Sequence, residues 1–170
     1  NIILSKFPIK DKGRLSFSGS TNLAIYADIE HYGRTLRVYN NHLESYNVSF
    51  TALAHKFAER LKNGNSTPDD VNPLSSEKES IREEIARDIV ETHEKMKGTF
   101  IKRSGQVASI LENINGSAHR SIICGDFNDN PMSYTYYRMT RDRKDAFVEA
   151  GDGFGATYSL LWPLLRIDYV

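Results

Sequence analysis

The residues best suited to do chemistry are Asp126 and Asn128, which directly follow an apolar run that ends in Gly125. Residues two apart in an extended chain point the same way, so both side chains are expected to project together while Phe127 turns back into the core. A carboxylate takes a proton or binds a metal-held water, and an amide hydrogen-bonds an oxygen. The pair therefore suits chemistry on water and phosphate.

Asn40 and His42 show the same spacing at the end of another predicted strand. An imidazole in this place donates to a phosphate oxygen, or acts as acid or base near neutral pH. The alternative is that His42 hydrogen-bonds the backbone at the strand end, which is the more common role of a lone histidine.

Asp168 lies between Ile167 and Tyr169 in a short apolar stretch. A carboxylate buried there requires a partner or a metal ion, because burying it alone is costly. In the alternative interpretation, Arg166 or a backbone amide satisfies it at the sheet edge.

Several further polar residues have two interpretations, and the structural one is favoured for each. Glu44 either joins a second metal site or pairs with a lysine at the surface. Asp129 is expected to cap the turn made with Pro131 rather than to act in catalysis. Arg103 and Gln106 open a predicted helix and are expected to pack rather than to reach substrate.

The elements that position these residues follow from hydrophobic periodicity. Strands are predicted at 1–5, 22–29, 36–42, 121–126, 157–158 and 165–170, the second and third forming a hairpin. Helices are predicted at 50–61, from a capping box at Ser76 and Glu79 to Met96, at 107–114 after an interruption at Gly98, and at 133–139 capped by Ser133. Residues 64–75 are expected to form an exposed loop. This order predicts an α/β arrangement.

Composition excludes few functions. The chain of 170 residues has 22 Lys plus Arg and 22 Asp plus Glu, so no overall field favours nucleic acid or an anionic membrane. Its length suits one domain. The single cysteine, Cys124, excludes an internal disulfide. No apolar run approaches the roughly 18 residues that span a bilayer, and the compartment stays open.

Four motifs in this order resemble the endonuclease/exonuclease/phosphatase superfamily, which includes deoxyribonuclease I. They are Ile3-Leu4-Ser5-Lys6-Phe7-Pro8-Ile9, Asn40-x-His42, Gly125-Asp126-Phe127-Asn128-Asp129-x-Pro131 and Arg166-Ile167-Asp168-Tyr169-Val170. The resemblance implies an α/β (α+β) fold of the deoxyribonuclease I type. This fold is a four-layered α/β sandwich of two mixed β-sheets flanked by helices, with the active site at the strand ends.

The resemblance also implies a role for each candidate residue. Asp126 orients and deprotonates the attacking water, and Asn128 holds an oxygen of the scissile phosphate. His42 contacts the phosphate and stabilises developing charge, and Asn40 lines the phosphate site. Asp168 matches an aspartate that hydrogen-bonds a second histidine.

Two motifs of the superfamily do not occur in the chain. They are the Gln-Glu motif with the metal-binding glutamate, and the Ser-Asp-His motif. The expected ion is Mg²⁺ or Mn²⁺, with Asp126 as a possible ligand. We expect residues 1–170 to be a single domain incomplete at both ends, with an insertion at 64–100 and little catalysis by this chain alone.

The predicted function is that of a metal-dependent phosphoesterase, which hydrolyses phosphodiester or phosphomonoester bonds by in-line attack of an Asp-activated water. The neutral charge favours a small phosphodiester, a phospholipid headgroup or a phosphomonoester over nucleic acid. No stable protein partner is inferred. The alternative is a non-catalytic binding module that retains the fold.

Overall fold

The computed structural model describes residues 1–46, 59, 74–158 and 165–170, with side chains omitted at 74–81. Its elements are β1 (Ile9–Ser16), β2 (Leu23–His31), β3 (Arg34–His42), α1 (Leu74–Asn115), β4 (Arg120–Asp126), α2 (Tyr134–Thr140), α3 (Ala146–Ala150) and β5 (Asp168–Tyr169). The predicted α/β class is confirmed. The predicted helix at 50–61, apart from residue 59, and the loop at 64–73 lie outside the described residues.

The described strands form one five-stranded mixed sheet in the order β1-β2-β3-β4-β5. Strands β3 and β4 are parallel, whereas every other neighbouring pair is antiparallel. The predicted hairpin is confirmed as β2–β3. Its turn uses Tyr32 and Gly33 at φ 47° and 73°, the left-handed pair that matches the twist of two antiparallel strands.

The predicted strand at residues 1–5 is wrong, since the first strand begins at Ile9, after Pro8. Ile2 and Leu4 are 69% and 84% exposed, so this apolar run lies outside the core. β1 forms one edge of the sheet and carries charged residues on both faces, as edge strands commonly do. The apolar residues at 1–5 were therefore wrongly predicted as a strand. The edge strand β1 was missed because its sequence does not alternate between apolar and polar residues.

Helix α1 runs without interruption through Gly98, where a break was predicted. A glycine inside a helix costs only about 1 kcal/mol relative to alanine, too little to end a helix with strong formers on both sides. The helix begins at Leu74, two residues before the predicted cap at Ser76. Although α1 is long, neither it nor any other helix in the described ranges is apolar enough to cross a membrane.

The chain divides into two compact units: Asn1–Ser45 with Phe100–Val170, and Tyr46–Thr99. In the first unit one apolar cluster joins the sheet to the helices. Its buried members include Ala24, Tyr39, Leu43, Val107, Ile110, Ile114, Phe127, Met139 and Tyr169. This packing fixes one face of β3 and β4, and side chains one position away along each strand project from the opposite face.

Of the two short helices, α2 begins where predicted. Ser133 Oγ accepts from the backbone N–H of Tyr136, and Asp145 caps α3 through Phe147 N and Val148 N. At the end of the described chain only β5 is a strand. The amides of Thr157 and Tyr158 donate to the carbonyl of Leu165 without forming the predicted strand.

Candidate active site

Three of the predicted site residues lie side by side across three strands. His42 on β3 is the register partner of Asp126 on β4, and Asp126 is the partner of Asp168 on β5. Register partners project from the same face of a sheet. Nε2 of His42 lies 4.0 Å from Oδ2 of Asp126. The end residues of the parallel pair β3–β4 thus meet at its carboxyl edge, where open α/β sheets bind ligands.

Asp126 and Asn128 were predicted to meet through strand alternation. In the structure they meet through a turn instead. The backbone N–H of Asn128 donates to Asp126 Oδ1 at 2.8 Å, which closes an Asx turn just past β4. Asn128 adopts a left-handed φ of 51°. Phe127 does turn into the core as predicted, where it is 3% exposed and packs edge-on against Tyr169.

The side chain of Asn128 is tied to the end of β3. Its Nδ2 donates to the carbonyl of Leu43 at 2.9 Å, and Asn22 Nδ2 donates to the same carbonyl at 2.7 Å. One hydrogen of the Asn128 amide is thus used, and the second is left for another acceptor.

Asn40 lies on the same face as His42 but one pair further back. Its register partner on β4 is Cys124, and its Nδ2 donates to the carbonyl of Ile2 at 2.9 Å. Asn1 Nδ2 in turn donates to the carbonyl of Asn40. The structure therefore does not place Asn40 opposite Asp126, and its predicted contact with phosphate stays a prediction.

Asp168 is exposed, so the expectation of a buried carboxylate was wrong. A two-residue strand at the sheet edge leaves its side chain in solvent although its neighbour Tyr169 is buried. Arg166 does not pair with it. The backbone N–H of Asp168 donates to Thr157 Oγ1 at 3.1 Å, a contact that nothing in the local sequence indicated.

Arg166 lies just before β5 and ties this strand to Asp145, the N-cap of α3. It donates to both carboxylate oxygens of Asp145, at 3.1 and 2.6 Å, and stacks over the rings of Phe147 and Tyr169. Burial disfavours the charge on Asp145, but hydrogen bonds from Arg166 and Tyr136 outweigh it and hold the pKa of Asp145 below its usual value. This cluster fixes the strand that carries Asp168.

Asp126 has a raised pKa. The main cause is burial, which disfavours the charged carboxylate, and the nearby charge of Asp168 adds to it. The hydrogen bond from Asn128 and the charges of His42 and Arg103 oppose the rise without cancelling it. A carboxylate with a raised pKa is a better proton acceptor, which suits a general base.

Behind the site, Arg103 and Gln106 bind the segment that follows β3. Both were expected to pack, and the structure confirms this. Gln106 Oε1 accepts from the backbone N–H of Glu44, while Arg103 donates twice to the carbonyl of Glu44. The Glu44 carboxylate is only 12% exposed, 2.5 Å from Ser20 Oγ and 3.7 Å from Lys102. The lysine partner was predicted, but a surface position was wrong.

The predicted role of Asp129 is only part of what the structure shows. Its Oδ1 accepts from Asn130 N at 3.2 Å within the turn, and its Oδ2 lies 2.8 Å from Nη1 of the buried Arg103. Arg103, Gln106 and Asn22 are thus among the residues around the site whose contacts the sequence did not reveal. Only the i, i+3 spacing of Arg103 and Gln106 on α1 was a signal that they share a face.

A cleft of about 830 Å³ lies elsewhere, beside the first half of β4. Its lining is largely apolar and includes Ile123, Tyr136, Met139, Ala146 and Val170, with none of the predicted site residues. The predicted site residues therefore lie outside this cleft.

The described residues do not form a metal site by themselves. In the ranges that the structure describes, no group of three or more His, Cys, Asp or Glu side chains is arranged to hold an ion. Asp126 and Asp168 are adjacent carboxylates of the kind that Mg²⁺ prefers. These two carboxylates lie on adjacent strands at this end of the sheet.

Comparison with known proteins identifies the family. The family model described as Endonuclease/Exonuclease/phosphatase family matches residues 1–170, and the chain therefore belongs to this family. Membership agrees with the predicted deoxyribonuclease I-like fold class, of which the described residues form one mixed sheet with its helices. A search of curated proteins found no significant match.

Two solved structures from Bacteroides thetaiotaomicron resemble the chain at low identity. One is a mannosyl-6-phosphatase from strain VPI-5482, with 14% identity and a TM-score of 0.47 over 96% of this chain and 52% of its own. The other is an endonuclease/exonuclease/phosphatase family protein with the same identity, TM-score and coverage of this chain, and 50% of its own length covered. The chain thus spans about half the length of these structures.

Proposed function

We propose that this chain carries the water-activating and phosphate-binding residues of a phosphoester hydrolase. The observation that supports this best is the alignment of His42, Asp126 and Asp168 across β3, β4 and β5, with Asn128 joined to Asp126 by the adjacent turn. The reaction is in-line attack of a water on a phosphodiester or phosphomonoester, which requires a base and donors for the phosphate oxygens.

Asp126 is the proposed base. The Asn128 N–H holds Oδ1, so the carboxylate has a fixed orientation and presents Oδ2 on the side of His42. Its raised pKa makes it a stronger acceptor for the proton of the attacking water. Asp168 contributes to this basicity through its nearby negative charge.

His42 and Asn128 are the proposed phosphate ligands. The His42 side chain is 51% exposed, with Nε2 on the Asp126 side, so a phosphate oxygen next to the attacked phosphorus is within its reach. The second hydrogen of the Asn128 amide supplies another donor. Donors fixed in advance toward developing negative charge stabilise the transition state. We extend the proposal to Asn40 as a phosphate-site residue and to Asp168 as the partner of a second histidine.

We propose Mg²⁺ or Mn²⁺ as the cofactor, with Asp126 as one ligand. Such an ion neutralises charge that develops on the phosphate oxygens. Because the described residues offer only Asp126 and Asp168, the proposal requires ligands beyond these two. The proposed substrates are a small phosphodiester, a phospholipid headgroup, a phosphomonoester or nucleic acid, and no stable protein partner is proposed.

An assay of the full-length protein with bis-p-nitrophenyl phosphate and p-nitrophenyl phosphate, with and without Mg²⁺ or Mn²⁺, tests the proposal, because little catalysis is expected of this chain alone. Turnover that requires the metal and falls roughly 10²- to 10⁴-fold in Asp126→Asn supports it. Asp142→Asn is the matched control, since Asp142 is an exposed aspartate outside the site. Turnover equal in the two variants would refute the role of Asp126. Binding of inorganic phosphate without any turnover would instead indicate the non-catalytic binding module.

A further inference from the structure

Arg103 is the most deeply buried charged side chain of the described residues and lies directly behind the site. It is 0% exposed, and its guanidinium reaches two different loops. Nε and Nη2 donate to the carbonyl of Glu44, at 2.9 and 2.7 Å, in the segment after β3. Nη1 lies 2.8 Å from Asp129 Oδ2 in the turn after β4. A buried arginine is therefore a bridge between the two segments that carry the site.

The site residues differ in how much they depend on such a bridge. His42 and Asp126 belong to the β3–β4 ladder, whose backbone hydrogen bonds fix their register. Asn128 lies past the end of β4, in a left-handed conformation at φ 51°. Asparagine adopts this conformation more readily than other residues with a Cβ, and here the contacts of the turn, rather than a strand ladder, hold Asn128 in place.

Arg103 contacts one residue next to Asn128 and one residue next to the hydrogen-bond partner of Asn128. Asp129 is its next residue along the chain, and Glu44 follows Leu43, whose carbonyl binds the Asn128 amide. Tyr169 Oη, 2.8 Å from the Asp129 carbonyl, supports the same turn from β5. The planar guanidinium meets a carbonyl and a carboxylate at once, a geometry that a lysine ammonium does not reproduce.

We propose that Arg103 is a positioning residue that holds the turn Phe127–Asn130, and with it the side-chain amide of Asn128, against the end of β3. The proposal rests on the proposed function for its catalytic consequence only. Arg103 does not itself reach the open face of the sheet, because its side chain is buried on the helix side. Its effect on phosphate passes through Asn128.

Arg103→Lys tests this proposal, because the lysine keeps the charge that Asp129 needs while losing the fork on Glu44. The matched control is Arg82→Lys, an exposed arginine of the same helix. The first measurement is hydrogen exchange of the backbone amide of Asn128, because this N–H donates to Asp126 Oδ1. We expect its protection to fall roughly tenfold in Arg103→Lys, as for loss of one charge-assisted hydrogen bond, while the amides of the β3–β4 ladder keep theirs.

The readout by exchange separates this proposal from the proposed function, because it needs no turnover. Unchanged protection of the Asn128 amide would overturn the proposal. Protection lost equally at Asn128 and throughout the ladder would overturn it too, since that is the result of general destabilisation. If the protein hydrolyses bis-p-nitrophenyl phosphate, Arg103→Lys should lower kcat by roughly 10²-fold with KM nearly unchanged, the effect of a misplaced transition-state contact.

Discussion

His42 and Asp126 are direct register partners at the ends of two parallel strands, with Nε2 of the imidazole 4.0 Å from Oδ2 of the carboxylate. The sheet thus brings together a donor and an acceptor from distant parts of the sequence. Asp168 continues the row on the next strand. Burial raises the pKa of Asp126, and the charges of Asp168 and His42 shift this pKa in opposite directions.

Asp126→Asn is expected to stabilise the fold at neutral pH. A raised pKa means that the folded protein binds the proton more tightly than the unfolded chain, so the ionised carboxylate costs stability. This cost appears as the pH rises from the usual aspartate pKa through the raised folded pKa. Asparagine keeps the acceptor for the Asn128 N–H. Thermal melts should show a higher Tm for the variant than for the native chain at pH 7, and little difference between them at pH 3. A Tm difference, variant minus native, that is smaller at pH 7 than at pH 3 would contradict the prediction.

Replacing the two neighbours should move the pKa of Asp126 in opposite directions. Asp168→Asn removes a negative charge and should lower it, whereas His42→Gln removes a charge that favours the carboxylate and should raise it. NMR titration of the Asp126 carboxyl carbon measures both effects. Shifts of the same sign would mean that the two side chains do not act on Asp126 by charge.

Gly125 is expected to tolerate no side chain. Its φ is 132°, and a Cβ there would lie 2.0 Å from the backbone oxygen of Asn41 on the neighbouring strand. Gly125→Ala should therefore cost roughly 3 kcal/mol or more by forcing β3 and β4 apart beside Asp126. Gly105→Ala is the control, because nothing lies within 4 Å of its Cβ position. In a helix this change should stabilise by about 1 kcal/mol. Urea unfolding of both variants decides it, and equal midpoints would contradict the close approach.

Arg166→Met should destabilise the chain by about 3–5 kcal/mol, the cost of leaving one member of a buried ion pair alone. Asp145 would then keep its charge without the two hydrogen bonds from Arg166. Arg138→Met removes an exposed hydrogen bond to Tyr134 and should have a much smaller effect. Denaturant midpoints measure the difference. Similar losses in the two variants would show that the Arg166–Asp145 pair does not stabilise β5.

Local patterns predicted the parts of the site that local geometry determines. The spacing of Asn40 and His42 and the position of Asp126 followed from strand ends. Outside the site, the cap at Ser133 followed from the rules of helix capping. The exposure of Asp168 did not follow, because burial at a sheet edge depends on what lies next to the strand. The apolar run at residues 1–5 misled for the same reason.

Long-range contacts were beyond sequence reasoning. Arg103 reaches the Glu44 carbonyl and the Asp129 carboxylate, and Thr157 accepts from the backbone N–H of Asp168. Neither contact has a periodic signal, since each joins residues that only the folded chain brings together. The turn between Asp126 and Asn128 was likewise expected as extended strand, because a short sequence does not distinguish an Asx turn from strand alternation.

The pH dependence of kcat/KM for bis-p-nitrophenyl phosphate, with Mg²⁺ present, tests the central claim most directly. If Asp126 is the base, activity should fall on the acid side as Asp126 takes up its proton, and the negative charge of Asp168 should raise the pH at which it does so. This acid limb should move to lower pH in Asp168→Asn and stay in place in Asp142→Asn. An acid limb that Asp168→Asn leaves unmoved, or activity that survives Asp126→Asn intact, would contradict the account.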